Sequence, residues 1–303
     1  MFLKAAFKDA SVFVQLVMLL AMIAFGVFFA MFLVSLMIFS KIGVSPEAVK
    51  DLQQNLFDYP DILRGGQFLQ TLGIFLLPSI ICAWLFSDNY KEYLRIDSPI
   101  RTPVAVWAVI SMLVAVPFLN LTSLLNQQIT LPEALKGLEA WIKESEEAAT
   151  RMTDVILDTK DASTIIFNIL IVCVVAGIAE EFMFRGLLQT LFGKVFKNRH
   201  VLIWLIAILF SAIHFQFYGF IPRMLLGAWL GYLMYYTQTI WIPVLAHFTN
   251  NFLSVGLYYI FQNTPDEVQK IDALGSGSTL WLSVVSLVLF FYCFVQIKKT
   301  AVQ

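Results

Sequence analysis

The sequence predicts an all-α protein, a polytopic bundle of about eight transmembrane helices. Hydrophobic residues make up 59% of the 303 positions, whereas charged residues make up only 14%. The mean hydropathy of +0.78 is far above what the core of a water-soluble protein requires. Long stretches without charge recur along the chain, and nearly all ionisable residues fall between them.

These uncharged stretches are long enough to cross a bilayer, because a spanning helix needs about 20 apolar residues at about 1.5 Å each. We place the spans at residues 11–40, 67–86, 102–121, 163–191, 201–215, 220–236, 240–261 and 278–297. The first span is too long for a signal peptide and lacks a small-residue cleavage site, so we expect it to remain as an anchor.

Basic clusters predict the orientation. With eight spans, the clusters before the first, after the fourth and after the last fall on one side: Lys4 and Lys8; Lys194, Lys197 and Arg199; Lys298 and Lys299. The positive-inside rule makes that side cytoplasmic, so this multi-pass membrane protein should have both termini in the cytosol. The acidic segment 131–161 falls on the other side, where we favour a solvated connector over an amphipathic surface helix.

The order of these features suggests three segments. Residues 1–162 hold the first three helices and the acidic segment, 163–262 hold the helices that carry the unusual polar residues, and 263–303 hold the last helix. A net charge of −1 without a basic tail or stripe excludes nucleic acid as a partner.

Charged residues inside the fourth span are the most informative feature. A charge at the bilayer centre costs from about 2.5 kcal/mol upward, yet Glu180, Glu181 and Arg185 lie within six positions of one another. Glu181 and Arg185 are four residues apart and can pair on one helix face. Glu180 is rotated by about 100° from that pair and can point elsewhere.

Two histidines and an amide fall in neighbouring spans. Glu180 and His214 lie at similar depths, each on the order of 18 Å from the predicted cytoplasmic boundary. His247 lies about 10 Å into its span, and Asn251 follows on the same face at about 17 Å. We therefore expect these four groups, from three helices, to meet near the middle of the membrane.

This set of side chains suits amide hydrolysis. Desolvation brings the pKa of a buried carboxylate toward the working pH, which fits Glu180 as a general base. His214 could share the same water, while His247 and Asn251 could donate to the oxyanion of a tetrahedral intermediate. No serine or cysteine is placed as a covalent nucleophile, and Ser211 fits a packing role better.

A second mechanism and two other functions remain as alternative hypotheses. Glu180, His214 and His247 would make an acceptable zinc set, although HExxH is absent; we favour the account without metal or other cofactor. A proton- or ion-coupled transporter could use the charged cluster as a relay, but inverted repeats are not apparent. A non-catalytic scaffold or immunity protein could keep the same fold.

The motifs EExxxR, FxxxH and HxxxN occur in this order on three membrane segments. They read Glu180, Glu181 and Arg185; Phe210 and His214; and His247 and Asn251. In this, the chain resembles the CPBP family of intramembrane proteases, the CAAX-protease and bacteriocin-processing family. The resemblance covers residues 176–251.

The resemblance implies an intramembrane endopeptidase that processes CAAX-type C-termini or leader peptides. It implies that Glu180 and His214 activate water, that His247 and Asn251 form the oxyanion hole, and that Glu181 with Arg185 holds the site in shape, with Phe210 in support. The expected partners are the lipid bilayer and a peptide or protein substrate with a membrane-accessible segment or C-terminus.

Overall fold

The computed structural model describes residues 3–43 and 45–302, and this part of the chain contains helices and no strand. The helices are α1 (Val12–Ile42), α2 (Pro46–Gln54), α3 (Pro60–Phe86), α4 (Tyr90–Tyr93), α5 (Thr102–Gln127), α6 (Lys136–Leu157), α7 (Ala162–Phe192), α8 (Arg199–Ala212), α9 (Phe220–Thr237), α10 (Trp241–Phe261), α11 (Pro265–Asp272) and α12 (Leu280–Val302). The all-α class is confirmed.

A helix lies at each predicted span. Across the described residues, five helices are long and apolar enough to cross a membrane: α1, α3, α5, α7 and α12 with the turn before it. Helices α8, α9 and α10 do not meet both criteria: α8 has only 14 residues, and α9 and α10 are less apolar than the five. The chain is thus an integral membrane protein, and its orientation stays a prediction.

The acidic segment differs from expectation. We favoured a solvated connector over an amphipathic helix here, and this prediction is wrong, because residues 136–157 form helix α6. Ile142, Ile156 and Leu157 are buried, whereas Leu138 and Trp141 are about half exposed. The apolar positions recur at helical spacing, so part of one helix face is buried, whereas Glu144, Glu147 and Asp154 are exposed.

The chain folds into two compact units, of which the first comprises Met1–Leu94 and Arg151–Val195. Within it, α1 and α3 cross where Gly26 meets Gly73, in a π-helical turn at Leu72–Leu76. A methyl group on Gly26 would collide with the Gly73 carbonyl oxygen, and one on Gly73 would lie 3.0 Å from Ala30 Cβ. Absence of both side chains lets the two backbones touch.

Arg64 caps the C-terminal end of helix α6 in this unit. The sequence placed it in a loop, but it lies in α3 and is 6% exposed. Its Nε donates to the Ile156 carbonyl oxygen at 2.9 Å, and Nη2 donates to the Asp158 carbonyl oxygen at 3.4 Å. The Ile156 carbonyl lies in the last turn of α6, where carbonyls have no partner within the helix, and Asp158 follows that helix directly. Both carbonyls therefore accept from the buried arginine in an apolar setting.

The second unit comprises Arg95–Thr150 and Phe196–Gln303. Its helices α5 and α12 run antiparallel: Arg101 donates to the carbonyls of Thr300 and Ala301, both at 3.2 Å, and Ser283 donates to the Pro117 carbonyl at 2.9 Å. Residues from α5, α9 and α10 form its core, including Ala108, Leu230, Leu233, Ile242 and Ala246. The three sequence segments proposed above stay a prediction.

Candidate active site

The acidic half of the candidate site lies on α7 in the first unit. Glu181 Oε1 accepts a hydrogen bond from Arg185 Nη1 at 2.7 Å, and both side chains are fully buried. A charge-assisted bond offsets part of the cost of burying both ions. Glu180, the preceding residue, is half-buried, and its charge also acts on the Arg185 guanidinium.

The geometry of α7 departs from a regular α-helix at these residues. It is π-helical at Leu170–Val175 and again at Phe182–Leu188, directly after Glu181. Such wide turns are uncommon and are often found at functional sites, because they change which way the following side chains point. The residue spacing alone did not reveal them.

Two contacts within the first unit fix the ends of α7. Asp161 Oδ2 accepts from the backbone N–H of Thr164 at 2.8 Å and from hydroxyls of Ser163 and Thr164. Hydrogen bonds to Ser163 and Thr164 lower the pKa of Asp161 to about 2, so the cap stays ionised at neutral pH. At the other end, Lys194 Nζ donates to Gln15 Oε1 at 2.8 Å.

His214 lies beyond α8 in the second unit. The sequence placed it inside a span, but α8 ends at Ala212, and the chain turns through Phe215, whose φ is 53°. His214 Nδ1 lies 2.8 Å from the Phe210 carbonyl oxygen. Because a carbonyl only accepts, Nδ1 must carry the hydrogen, and a neutral ring then has its lone pair on Nε2.

Phe210 packs between the two imidazoles. Its ring centroid is 5.2 Å from that of His214 and 5.8 Å from that of His247, both edge to face. Phe210 is 1% exposed and His247 is 4% exposed. A methyl group at Gly227 on α9 would lie 3.0 Å from the Phe210 ring and 3.2 Å from Ala207 Cα, so this glycine leaves room for the ring.

Asn251 follows His247 by one turn on α10, which places both on the same helix face. Asn250 Nδ2 donates to Asn251 Oδ1 at 3.3 Å. The start of α10 is held by the segment before α5, since Trp241 Nε1 donates to the Ile96 carbonyl at 2.8 Å and Thr239 donates to the Ser98 carbonyl at 3.0 Å.

Asn126 is a positioning residue that sequence reasoning missed. It is 1% exposed; its Nδ2 donates to the Phe217 carbonyl and its Oδ1 accepts from the Ile221 N–H, both at 2.7 Å. It thus clamps the turn that carries His214. The available signal was a carboxamide at the end of an apolar run, just past the predicted end of the third span.

We expect Asn126→Ala to lower the unfolding free energy by about 2 kcal/mol, because two buried backbone groups lose their partners. Thermal unfolding in detergent measures the loss, and limited proteolysis after Phe217 measures loosening of the turn. Gln127→Ala is the matched control, since Gln127 is exposed and makes only a 3.4 Å contact with Ser123. Equal effects of the two substitutions would contradict the clamp.

Ser211 is buried, and its hydroxyl donates to the Phe220 carbonyl at 2.7 Å. The hydroxyl is therefore engaged in joining the end of α8 to the start of α9. This is the packing role expected from the sequence.

The second unit brings His214, Phe210 and His247 into contact, with Asn251 one turn from His247. The first unit brings together Glu180, Glu181 and Arg185. For residues 3–43 and 45–302, no three histidine, cysteine, aspartate or glutamate side chains have the spacing of a metal site.

Comparisons with known proteins point to one family. Residues 162–253 match the model of the type II CAAX prenyl endopeptidase Rce1-like family. An uncharacterized protein of Bacillus subtilis (strain 168), YpbD, is 29% identical over 85 residues, which cover 27% of this chain and 40% of that protein. The match thus spans less than half of the relative, and no solved structure matches the chain. Residues 162–253, which contain all seven motif residues, are therefore similar to the Rce1-like endopeptidase family.

Proposed function

We propose that this protein is an intramembrane endopeptidase that hydrolyses a peptide bond near a membrane-bound C-terminus of the CAAX type or in a leader peptide. The family match carries this proposal, because its 162–253 segment runs from before Glu180 to just after Asn251. The pattern of charge supports it, since a buried Glu–Arg pair and two imidazoles are costly within lipid.

In the proposed mechanism, Glu180 takes a proton from a water molecule as the oxygen attacks the substrate carbonyl carbon. His214 accepts a hydrogen bond from the same water through Nε2, because its Nδ1–H is committed to the Phe210 carbonyl. Collapse of the tetrahedral intermediate breaks the C–N bond, and the proton held by Glu180 passes to the leaving amine. Water and one peptide yield two shorter peptides.

His247 and Asn251 stabilise the negative charge that develops on the carbonyl oxygen. Their shared helix face allows both to donate to one oxygen, and the Phe210 contact holds His247 in place. Donors fixed before the reaction cost no reorganisation in the transition state, which is why such groups have large effects on rate. The Glu181–Arg185 pair touches no reacting atom and keeps the local shape of α7.

The mechanism that we favour uses no metal, and the water is activated by Glu180 and His214 alone. Metal dependence has a direct test: turnover is measured before and after chelation, and the metal content of the active preparation is determined. Turnover by metal-free protein supports the glutamate mechanism. Loss of turnover on chelation, restored by zinc, would overturn it.

We expect Asn251→Ala to reduce kcat by about 10²- to 10³-fold, because an oxyanion donor is lost while the rest of the site remains. The protein is reconstituted in vesicles with a fluorescent peptide that ends in Cys-aliphatic-aliphatic-X, tested with and without a prenyl group, and products are identified by mass spectrometry. Asn263→Ala, at an exposed position after α10, is the control and should cleave at the wild-type rate. A kcat for Asn251→Ala equal to that of the control would remove Asn251 from the mechanism.

A further inference from the structure

The second unit contains a cavity of about 540 Å³ between α5, α8, α9 and α12. Its wall is mainly apolar and rich in aromatic side chains, with Trp204, Trp229, Tyr232, Tyr236, Phe290 and Phe294. Phe291, which also lines it, is 57% exposed, so the cavity opens at the surface of the unit. None of the seven motif residues lines this cavity.

The cavity is polar at one end and apolar at the other. His200, at the start of α8, and Lys298, near the end of α12, lie at one end. Phe118 and Leu119 lie at the opposite end, because α5 runs antiparallel to α12. From Lys298 to Leu287 the lining of α12 extends about 16 Å, which is close to the depth of one leaflet, about 15 Å.

The polar end carries positive charge without a matching carboxylate. Lys298 Nζ lies 5.1 Å from the Tyr236 ring centroid and 5.5 Å from that of Phe294. No ion pair to an acidic side chain is found for Lys298 within residues 3–43 and 45–302. His200 Nδ1 lies 2.8 Å from the Tyr232 hydroxyl oxygen, within hydrogen-bonding distance. This partner is a neutral hydroxyl and not a carboxylate.

This combination matches an amphiphile with an anionic head. An acyl chain is stabilised by about 0.8 kcal/mol for each methylene that it buries, so the aromatic wall favours the tail. The ammonium of Lys298 can approach a phosphate while its stem stays against the rings. Basic pockets between membrane helices at the cytoplasmic interface suit phospholipid head groups, and the charge pattern predicts that this end is cytoplasmic.

We propose that this cavity binds one acyl chain of an anionic phospholipid, with the phosphate at Lys298 and His200. The lipid would join α8, α9 and α12 at their shared end. A zwitterionic lipid presents the same tail but no net charge, so it should bind more weakly.

The test uses full-length protein in nanodiscs of phosphatidylcholine with phosphatidylglycerol of the same acyl composition. Native mass spectrometry of the released protein measures which lipid is retained. We expect phosphatidylglycerol to be retained preferentially, and Lys298→Gln to weaken its retention about fivefold, as expected for one lysine at an anionic surface. Lys299→Gln is the control, because it removes the same charge at the next, exposed position, which does not line the cavity.

A second variant tests the tail. Ala115→Leu adds a side chain to the cavity wall without changing charge, and we expect it to weaken retention of both lipids. Equal retention of the two lipids by the wild type would overturn the proposal. Equal losses in Lys298→Gln and Lys299→Gln would do so as well, since they would show general surface attraction. If Ala115→Leu fails to fold, the comparison of Lys298→Gln with Lys299→Gln decides whether the proposal holds.

Discussion

We expect Glu180→Gln to lower the cleavage rate by about 10⁴-fold, at the upper end of what a positioned general base contributes. Glutamine keeps the size and hydrogen-bonding capacity of the side chain but cannot hold the proton of the attacking water. Binding of substrate should change little, so the loss should appear in kcat rather than in KM. The measurement is single-turnover cleavage of the reporter peptide in vesicles.

The fold should survive this substitution. Glu180 is half-buried, and the fully buried pair on α7 is Glu181 with Arg185, which remains intact. Thermal unfolding of Glu180→Gln should therefore match the wild type. Glu147→Gln makes the same chemical change at an exposed position on α6 and should retain full activity. Wild-type turnover by Glu180→Gln would eliminate Glu180 as the general base.

The second large effect concerns stability. We expect Gly26→Ala to lower the unfolding free energy by about 3 kcal/mol, the upper end for overpacking, because the added methyl group meets a backbone carbonyl that cannot rotate away. α1 must then separate from the π-helical turn of α3, and the neighbouring contacts of Ala30 are lost. Thermal unfolding and size-exclusion profiles in detergent measure the effect.

Gly256→Ala is the matched control. Gly256 lies within α10, and a methyl group there would meet nothing within 4 Å. Alanine also favours helix more than glycine does, so this variant should be as stable as the wild type or slightly more stable. If Gly26→Ala unfolds at the same temperature as Gly256→Ala, the two backbones do not touch at Gly26.

The positions of the helices could be predicted from the sequence, because burial in lipid demands long uncharged runs and each run shows directly in composition. The position of His214 could not be predicted from the sequence. An apolar run continues to Phe215, but the helix ends at Ala212, where the Asn126 side chain and the left-handed Phe215 redirect the backbone. Asn126 is far away in sequence, so no local pattern reports this contact.

Helix α6 is a second case in which distant contacts decided what the local sequence did not. Its apolar residues were visible at helical spacing, yet the abundance of acidic residues favoured a connector. The deciding contacts are non-local: Arg64 and Asn168 both donate to the Ile156 carbonyl. Satisfying that carbonyl stabilises the end of a helix that its own sequence leaves marginal.

The sequence by itself determined the membrane class, the helical fold and the set of seven motif residues, because each depends on composition or on spacing along one helix. Tertiary structure decided which nitrogen of His214 carries its hydrogen, the placement of Phe210 between two imidazoles, the Gly26–Gly73 crossing and the existence of the aromatic cavity. The His214 hydrogen bond depends on where α8 ends, and the other three features depend on distances between residues from different helices. Hydrophobic patterning specifies neither.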